Sequence, residues 1–257
     1  MRFLVQEVRA GRTNLAFFEL ETLRFSALNG QERPFSLGTG PANSMAETVD
    51  ALLPLSFLEA VRDVDTPVED AELVGDLRNK RLGLSETVYM QIRRFDEAVR
   101  RKQRTPHEEA VALARLVGRR PDAEAVFRAA GRYLARDAYR TISPVTRRLL
   151  LLLPSLVTRP VALRHLRRIG RRYFNGEISR VGSSIYLEVP DPVTLNSAPR
   201  SAGCAYYESG LKELLRLMVN SVGAVEHVRC ASRREGRCTW RAEWRPMAGG
   251  SRDETHT

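Results

Sequence analysis

The chain lacks the features that define several large classes of protein. In its 257 residues the longest apolar run is Leu149–Leu153, which Pro154 interrupts, so no segment is long enough for a transmembrane helix. Three cysteines are too few for a disulfide-rich scaffold, and their odd number favours reduced thiols. The first residues are charged and have no secretory h-region, so we expect a cytoplasmic protein, with a peripheral position on the inner membrane as an option.

Sequence motifs of the common enzyme classes are also missing. The chain has no G-x-x-x-x-G-K-[ST] phosphate loop, no H-E-x-x-H zinc motif and no G-x-S-x-G nucleophile motif. Gly38-Thr39-Gly40 lacks the third glycine of a dinucleotide-binding turn. We therefore expect no catalytic residues, and a protein that binds partners without transforming them.

Composition is that of a folded globular protein, but its charge is unevenly distributed. Hydrophobic residues make up 43% of the chain and charged residues 28%, which excludes disordered and fibrous classes. Lysine and arginine number 41 against 31 acidic residues, a net charge of +10. Ten arginines but a single acid, Glu177, lie between Arg140 and Arg180. Such a concentration of charge concerns partners and not the fold.

The densest part of this basic region reads as one amphipathic helix, Pro160–Tyr173. Its predicted buried face consists of Ala162, Leu166, Ile169 and Tyr173. Its predicted partner-binding or membrane-binding residues are the arginines on the remaining faces: Arg164, Arg167, Arg168, Arg171 and Arg172. Such a helix suits anionic lipid or an acidic protein surface. Nucleic acid is disfavoured because few aromatic residues are interleaved. The alternative is a solvated helix that pairs with the acidic segment Asp63–Asp76.

Hydrophobic periodicity predicts helices in the first part of the domain and strands with one helix in the last part. A capping box at Ser44 and Pro54 predict two short helices, and a long helix begins after Ser85. Further predicted helix starts lie at Thr105-Pro106, Asp122, Ser143-Pro144 and Arg159-Pro160. The later elements are strands at Tyr173–Ser179 and Ser184–Val189, a helix over Gly203–Val222 stopped by Gly223, and two final strands.

These patterns predict an α+β fold with helices packed on an antiparallel sheet. We expect an N-terminal extension over residues 1–43, a domain over 44–245 and a disordered tail over 246–257. Alternation of Cys238, Trp240, Ala242 and Trp244 with polar residues predicts that the last strand has one buried face.

The three cysteines leave three alternatives open. If the final hairpin is centred at Arg234, Cys230 and Cys238 are cross-strand partners with neighbouring side chains. Cys204 would add a third thiol, and His227 is the only imidazole nearby. The interpretations are small buried side chains, a metal site or a redox pair; tight C-x₂₋₄-C pairs, typical of structural zinc, are absent.

The C-terminal part resembles a known family. The similarity is carried by Gly203-Cys204-Ala205-Tyr206-Tyr207-Glu208-Ser209-Gly210-Leu211, and then by Cys230 and Glu235-Gly236-Arg237-Cys238-Thr239-Trp240. These segments are similar to the 4-vinyl reductase domain family, which shares its fold with TRAPP vesicle-tethering subunits. Upstream segments at 125–132 and 166–170 are similar to the preceding helices of that family. A group of uncharacterised myxobacterial proteins has a similar layout. The resemblance covers residues 85–245.

The resemblance implies a binding face or a hydrophobic small-molecule pocket. Family members include proteins of bacteriochlorophyll synthesis and sensors of aromatic compounds, some of which hold zinc through cysteines near the final hairpin. Here only Cys204, Cys230 and Cys238 correspond. We therefore expect a non-catalytic scaffold docked on a membrane complex, such as a photosynthetic one, through protein subunits or anionic lipid. A homodimer is compatible with this, and no cofactor is required.

Two alternatives to the scaffold function follow from the same resemblance. One is a protein that binds a tetrapyrrole or an aromatic compound between the Gly203–Val222 helix and the last strand, with reductase activity left open. The other is a zinc-containing ligand sensor.

Overall fold

A computed structural model of the protein describes residues 47–66, 82–152, 155–220 and 223–244. All of them belong to one unit, Met45–Thr257. The predicted N-terminal extension and the predicted tail lie outside the described residues. Helices and antiparallel sheets occur together, which confirms the α+β class.

The helices of the described part precede the main sheet, except for one that is inserted between its strands. The α-helices are α1 (Leu52–Asp65), α2 (Glu86–Arg100), α3 (His107–Gly118), α4 (Ala123–Arg140), α5 (Pro144–Leu152), α6 (Ser155–Tyr173) and α7 (Ala205–Val219). Short 3₁₀ helices cover Leu82–Leu84, Pro199–Cys204 and Ala231–Arg233. Among the described helices, none is long and apolar enough to cross a bilayer.

Two antiparallel sheets are formed by six strands of the described part. The strands are β1 (Thr48–Asp50), β2 (Arg104–Pro106), β3 (Glu177–Val181), β4 (Ser184–Val189), β5 (Val225–Arg229) and β6 (Cys238–Glu243). β1 and β2 pair with each other, and the main sheet has the order β3-β4-β6-β5. In that sheet β6, the last of the described strands, pairs with β4 on one side and with β5 on the other, so it occupies a central position.

An aromatic layer joins the main sheet to the helices. Trp240 on β6 stacks on Tyr207 of α7, with ring centroids 4.9 Å apart. Tyr207 in turn meets Tyr206 edge to face at 5.0 Å, and Tyr206 lies 5.0 Å from Phe57 of α1. All four rings are fully buried. The buried face predicted for the last strand is thereby confirmed, and it packs on α7.

Close contact between α4 and α7 positions the start of α7. An added Cβ on Gly131 of α4 would lie 2.1 Å from the carbonyl oxygen of Tyr206, so only glycine allows this approach. The two helices are also linked by ion pairs of Arg128 with Glu208 and of Arg136 with Glu213, each at 2.8 Å. The N-terminal end of α7 is therefore held on one side by α4 and on the other by the sheet.

Several predicted helices are confirmed. Ser85 caps α2 through its hydroxyl, which accepts a hydrogen bond from the Val88 amide. The predicted stripe of α6 is buried as expected, and so are Tyr207, Leu211, Leu214 and Met218 of α7. One-sided burial explains why periodicity identified these elements.

The region around Tyr173 was predicted incorrectly. The strand expected at Tyr173–Ser179 begins only at Glu177, because α6 continues through Tyr173. That helix also starts at Ser155, five residues before Pro160, so the proline lies inside it. Proline lacks one amide donor, but the buried face of α6 maintains the helix on both sides of it.

Other element boundaries also differ from the prediction. Thr48–Asp50 is a strand, and α1 runs through Pro54 without a break. Thr105 is a strand residue, and the helix predicted there begins at His107. The helix start predicted at Asp122 is confirmed by α4, although the Asp122 carboxylate binds Arg120 and does not cap the helix. The last long helix ends at Val219, where Asn220 adopts a left-handed conformation (φ 50°) and supplies the stop expected from Gly223.

Candidate metal centre

Four potential metal ligands meet where the start of α7 approaches the final hairpin. Cys204 ends the 3₁₀ helix that leads into α7, and His227 lies on β5. Cys230 follows β5 directly, and Cys238 is the first residue of β6. One ligand atom from each of the four lies within 4.8 Å of the corresponding atoms of the other three. The three cysteines are buried and His227 is half-buried.

The spacing of the sulphur atoms matches a tetrahedral zinc site. With Zn–S bonds of about 2.3 Å, two sulphurs on a tetrahedron lie about 3.8 Å apart. The Sγ atoms of Cys204 and Cys230 are 3.9 Å apart. All three cysteines are free thiols, so no disulfide competes for these sulphurs. An ion at the centre therefore requires little movement of these two ligands.

The hairpin brings Cys230 and Cys238 together as the residue count predicts. Arg229 of β5 pairs with Thr239 of β6, which places the next residues, Cys230 and Cys238, opposite each other. The connection turns through Arg234 and Gly236, both at positive φ (62° and 86°). A shift in register within β5, between His227 and Arg229, precedes this pair.

Hydrogen bonds from the connecting loop orient two of the thiols. The Ala231 amide donates to Cys238 Sγ at 3.3 Å, and the Ser232 hydroxyl lies 2.8 Å from Cys230 Sγ. The Cys230 amide donates to the Glu235 carboxylate at 2.8 Å, which holds the backbone of the loop. Outer contacts of this kind fix ligand orientation in metal centres.

Electrostatics in the cluster favour one thiolate. A hydrogen bond from Cys204 lowers the pKa of Cys238, and His227 and the Ala231 amide lower it further, against the opposing effect of burial. The same hydrogen bond, together with burial, raises the pKa of Cys204. Because metals bind the thiolate form, Cys238 is the thiol best prepared to take the first bond to an ion.

The imidazole of His227 is fixed by stacking. Its ring lies parallel to that of Trp240, 4.8 Å away and inclined by 9°, and Trp240 is itself held by Tyr207. The Nε2 atom of His227 is buried and has no hydrogen-bond partner among the described residues. A buried imidazole nitrogen without a partner is costly unless something binds it.

A cleft of about 410 Å³ opens beside the cluster. Its wall includes three of the four candidate ligands, Cys204, His227 and Cys230. Arg128 lies in the cleft wall and forms ion pairs with Glu124 at 3.0 Å and with Glu208 at 2.8 Å. The small-molecule pocket was expected between α7 and the last strand, but the stacked rings of Tyr207 and Trp240 occupy that position. The cleft beside the cluster lies at the N-terminal end of α7.

The structure brings the three cysteines together with the histidine, whereas the predicted arginine residues belong to another surface. Arg164, Arg167, Arg168 and Arg171 are exposed on α6, which contributes no ligand to the cluster. Arg172 differs, since it pairs with the buried Asp50 at 3.0 Å. The arginine surface is considered separately below.

Sequence reasoning named His227 only as the imidazole nearby and gave it no place in the ligand set. A usable signal was present, because His227 and Cys230 are separated by two residues and form the tight pair that structural zinc sites require. The search for paired cysteines overlooked it. The roles of Glu235 and Ser232 could not be predicted, since they depend on how the loop turns.

No family model, curated protein or solved structure matches the chain. The 4-vinyl reductase resemblance and the photosynthetic partner inferred from it therefore stay predictions. The two features that bear on function are the cysteine–histidine cluster and the exposed arginines of α6.

Proposed function

We propose that the protein is a non-catalytic, zinc-containing ligand-binding domain, with Zn²⁺ held by Cys204, His227, Cys230 and Cys238. The observation that carries the proposal is the convergence of four ligand atoms within 4.8 Å of one another. They come from two separate parts of the chain: the end of a 3₁₀ helix, and the strands and loop of the final hairpin. All three cysteines of the described part therefore meet at one place, together with a histidine.

The donor set points to zinc in particular. Three thiolates and one imidazole in a tetrahedral arrangement form a common structural zinc site. Four protein ligands fill the tetrahedral coordination of zinc and leave no open position for a substrate, so the ion would be structural. The protein would therefore bind a ligand without transforming it. The Nε2 atom of His227 is buried and has no hydrogen-bond partner among the described residues, and a bound cation would satisfy it.

Such an ion would link the start of α7 to the final hairpin and so form a rigid wall of the 410 Å³ cleft. The lining mixes charged and polar side chains, among them Arg128, Glu208 and Ser201, which suits a small polar ligand. The resemblance to the 4-vinyl reductase domain family supports this function, since zinc-containing ligand sensors occur in that family. A redox pair of thiols is the competing hypothesis.

Metal analysis of the purified full chain tests the proposal. Protein isolated without chelators should contain about one zinc per chain, and Cys204→Ser should lose most of it. Ser179→Ala is the control, because Ser179 is exposed on β3, a strand that supplies no ligand to the cluster. Metal-free wild-type protein whose stability is the same with and without a chelator would overturn the proposal. Reversible Cys204–Cys230 disulfide formation in that protein would favour the redox hypothesis.

A further inference from the structure

The exposed face of α6 carries positive charge that the rest of the described protein does not neutralise. Arg164, Arg167 and Arg168 are exposed and form no ion pair with any described residue. Arg171 lies 3.5 Å from Glu177, but both side chains are about 70% exposed, so this pair is weak. In the acidic segment that was the predicted alternative partner, Asp63 and Asp65 pair with Arg62 and Arg120 and not with these arginines. The other acids of that segment, Glu69, Asp70, Glu72 and Asp76, lie outside the described residues.

The same arginines line a shallow groove of about 610 Å³. Six arginines contribute to it, with Pro160 and Leu163, and no carboxylate is among the lining residues. Guanidinium groups held close together at one surface repel each other, and an anion bound there would relieve this repulsion.

A second feature lies on the neighbouring helix. Val145, Leu149 and Leu152 on α5 are exposed by 68%, 47% and 80%, and their spacing of four and three residues places them on one side of the helix. Only residues 153 and 154 separate α5 from α6, and the two helices are in contact. Val161, on the first half of α6, is exposed as well.

We propose that α5 and α6 form a docking surface for an anionic lipid bilayer. Arginines alone would fit any polyanion, but a nucleic-acid backbone or a polyglutamate chain offers little hydrocarbon in which to bury three aliphatic side chains. A bilayer interface offers both phosphate groups and hydrocarbon, and this combination of basic and apolar side chains is typical of interfacial helices. The apolar stripe would enter the headgroup region while the arginines of α6 contact lipid phosphates. This surface is independent of the metal centre.

Vesicle flotation of the full chain tests this surface. The probes are vesicles of phosphatidylcholine alone and vesicles containing one third phosphatidylglycerol, each at low and high salt. We expect binding only to the anionic vesicles, weakened by salt. Arg164→Gln with Arg168→Gln should weaken it about 25-fold, since each arginine near such a surface contributes about fivefold. Arg100→Gln with Arg237→Gln removes equal charge elsewhere and should change binding little.

A second variant separates lipid from other polyanions. Leu149→Gln with Leu152→Gln leaves the charge unchanged and alters only exposed side chains, so the fold should persist by circular dichroism. We expect it to weaken vesicle binding at both salt concentrations. No binding to anionic vesicles at low salt would overturn the proposal. The proposal would also be overturned if the leucine double variant bound vesicles like the wild type and bound duplex DNA or polyglutamate as tightly as it binds vesicles.

Discussion

Removing zinc should lower the thermal stability of the domain without unfolding it at room temperature. The described residues share one extensive apolar core, from Val49 on β1 to Trp244 after β6, so the fold does not depend on the metal as a zinc finger does. The ion would add the free energy of binding to the folded state alone. At free zinc 100 times the dissociation constant, this amounts to about 2.7 kcal/mol. For a domain of this size the corresponding rise in Tm is about 5–11 °C.

Thermal melts in zinc buffers measure this dependence directly. Above the dissociation constant, each tenfold increase in free zinc should add about 1.4 kcal/mol, and a strong chelator should give the lower limit. His227→Gln should flatten the dependence, because an amide is a poor zinc ligand, whereas the control Ser179→Ala should retain it. A Tm that does not respond to free zinc, or an equal response in His227→Gln, would refute the assignment of these ligands.

Two further predictions concern the α4–α7 contact. Glu213 accepts hydrogen bonds from Arg216 and Arg136, which lower its pKa to about 2. Because the pKa falls on folding, this stabilisation is present above about pH 5 and is lost as the pH falls towards 2. Glu213→Gln should lower the free energy of unfolding in urea by about 1–2 kcal/mol at pH 7, a modest loss because both guanidinium groups are half exposed. Near pH 2 the substitution should have almost no effect, and a loss that does not depend on pH would contradict this. Gly131→Ala should cost about 3 kcal/mol because its Cβ would overlap the Tyr206 carbonyl oxygen, and a loss below about 0.5 kcal/mol would show that the helices can separate freely.

Elements with one buried face could be predicted from the sequence, and elements interrupted by proline could not. The stripe of α2 from Val88 to Phe95 and the alternation along β6 reflect burial on a single side, which periodicity detects. By contrast, the sequence around Pro160 contains a helix-start signal that tertiary packing overrides. Thr158 before the proline and Ala162 after it are both buried, so packing on both sides of Pro160 maintains α6.

The candidate site was predictable only where its geometry is local. The pairing of Cys230 with Cys238 follows from counting residues across one hairpin. His227 and Cys230 are likewise close in the sequence, within the same hairpin. The position of Cys204 depends instead on how α7 packs on the sheet, which the Tyr207–Trp240 stack and the close α4–α7 approach determine. These contacts join residues far apart in the chain, so no local pattern fixes the distance from Cys204 to the hairpin.

The most direct test of the account is the absorption spectrum of the protein refolded or exchanged with Co²⁺. A site built from Cys204, His227, Cys230 and Cys238 should bind one equivalent and give the intense visible bands of tetrahedral cobalt, with strong thiolate-to-metal charge transfer in the near ultraviolet. At saturating Co²⁺, Cys238→Ser should reduce the charge-transfer intensity by at least about one third, because one of three thiolates is lost. Weak bands of octahedral cobalt, or a spectrum unchanged in Cys238→Ser, would contradict the proposed centre.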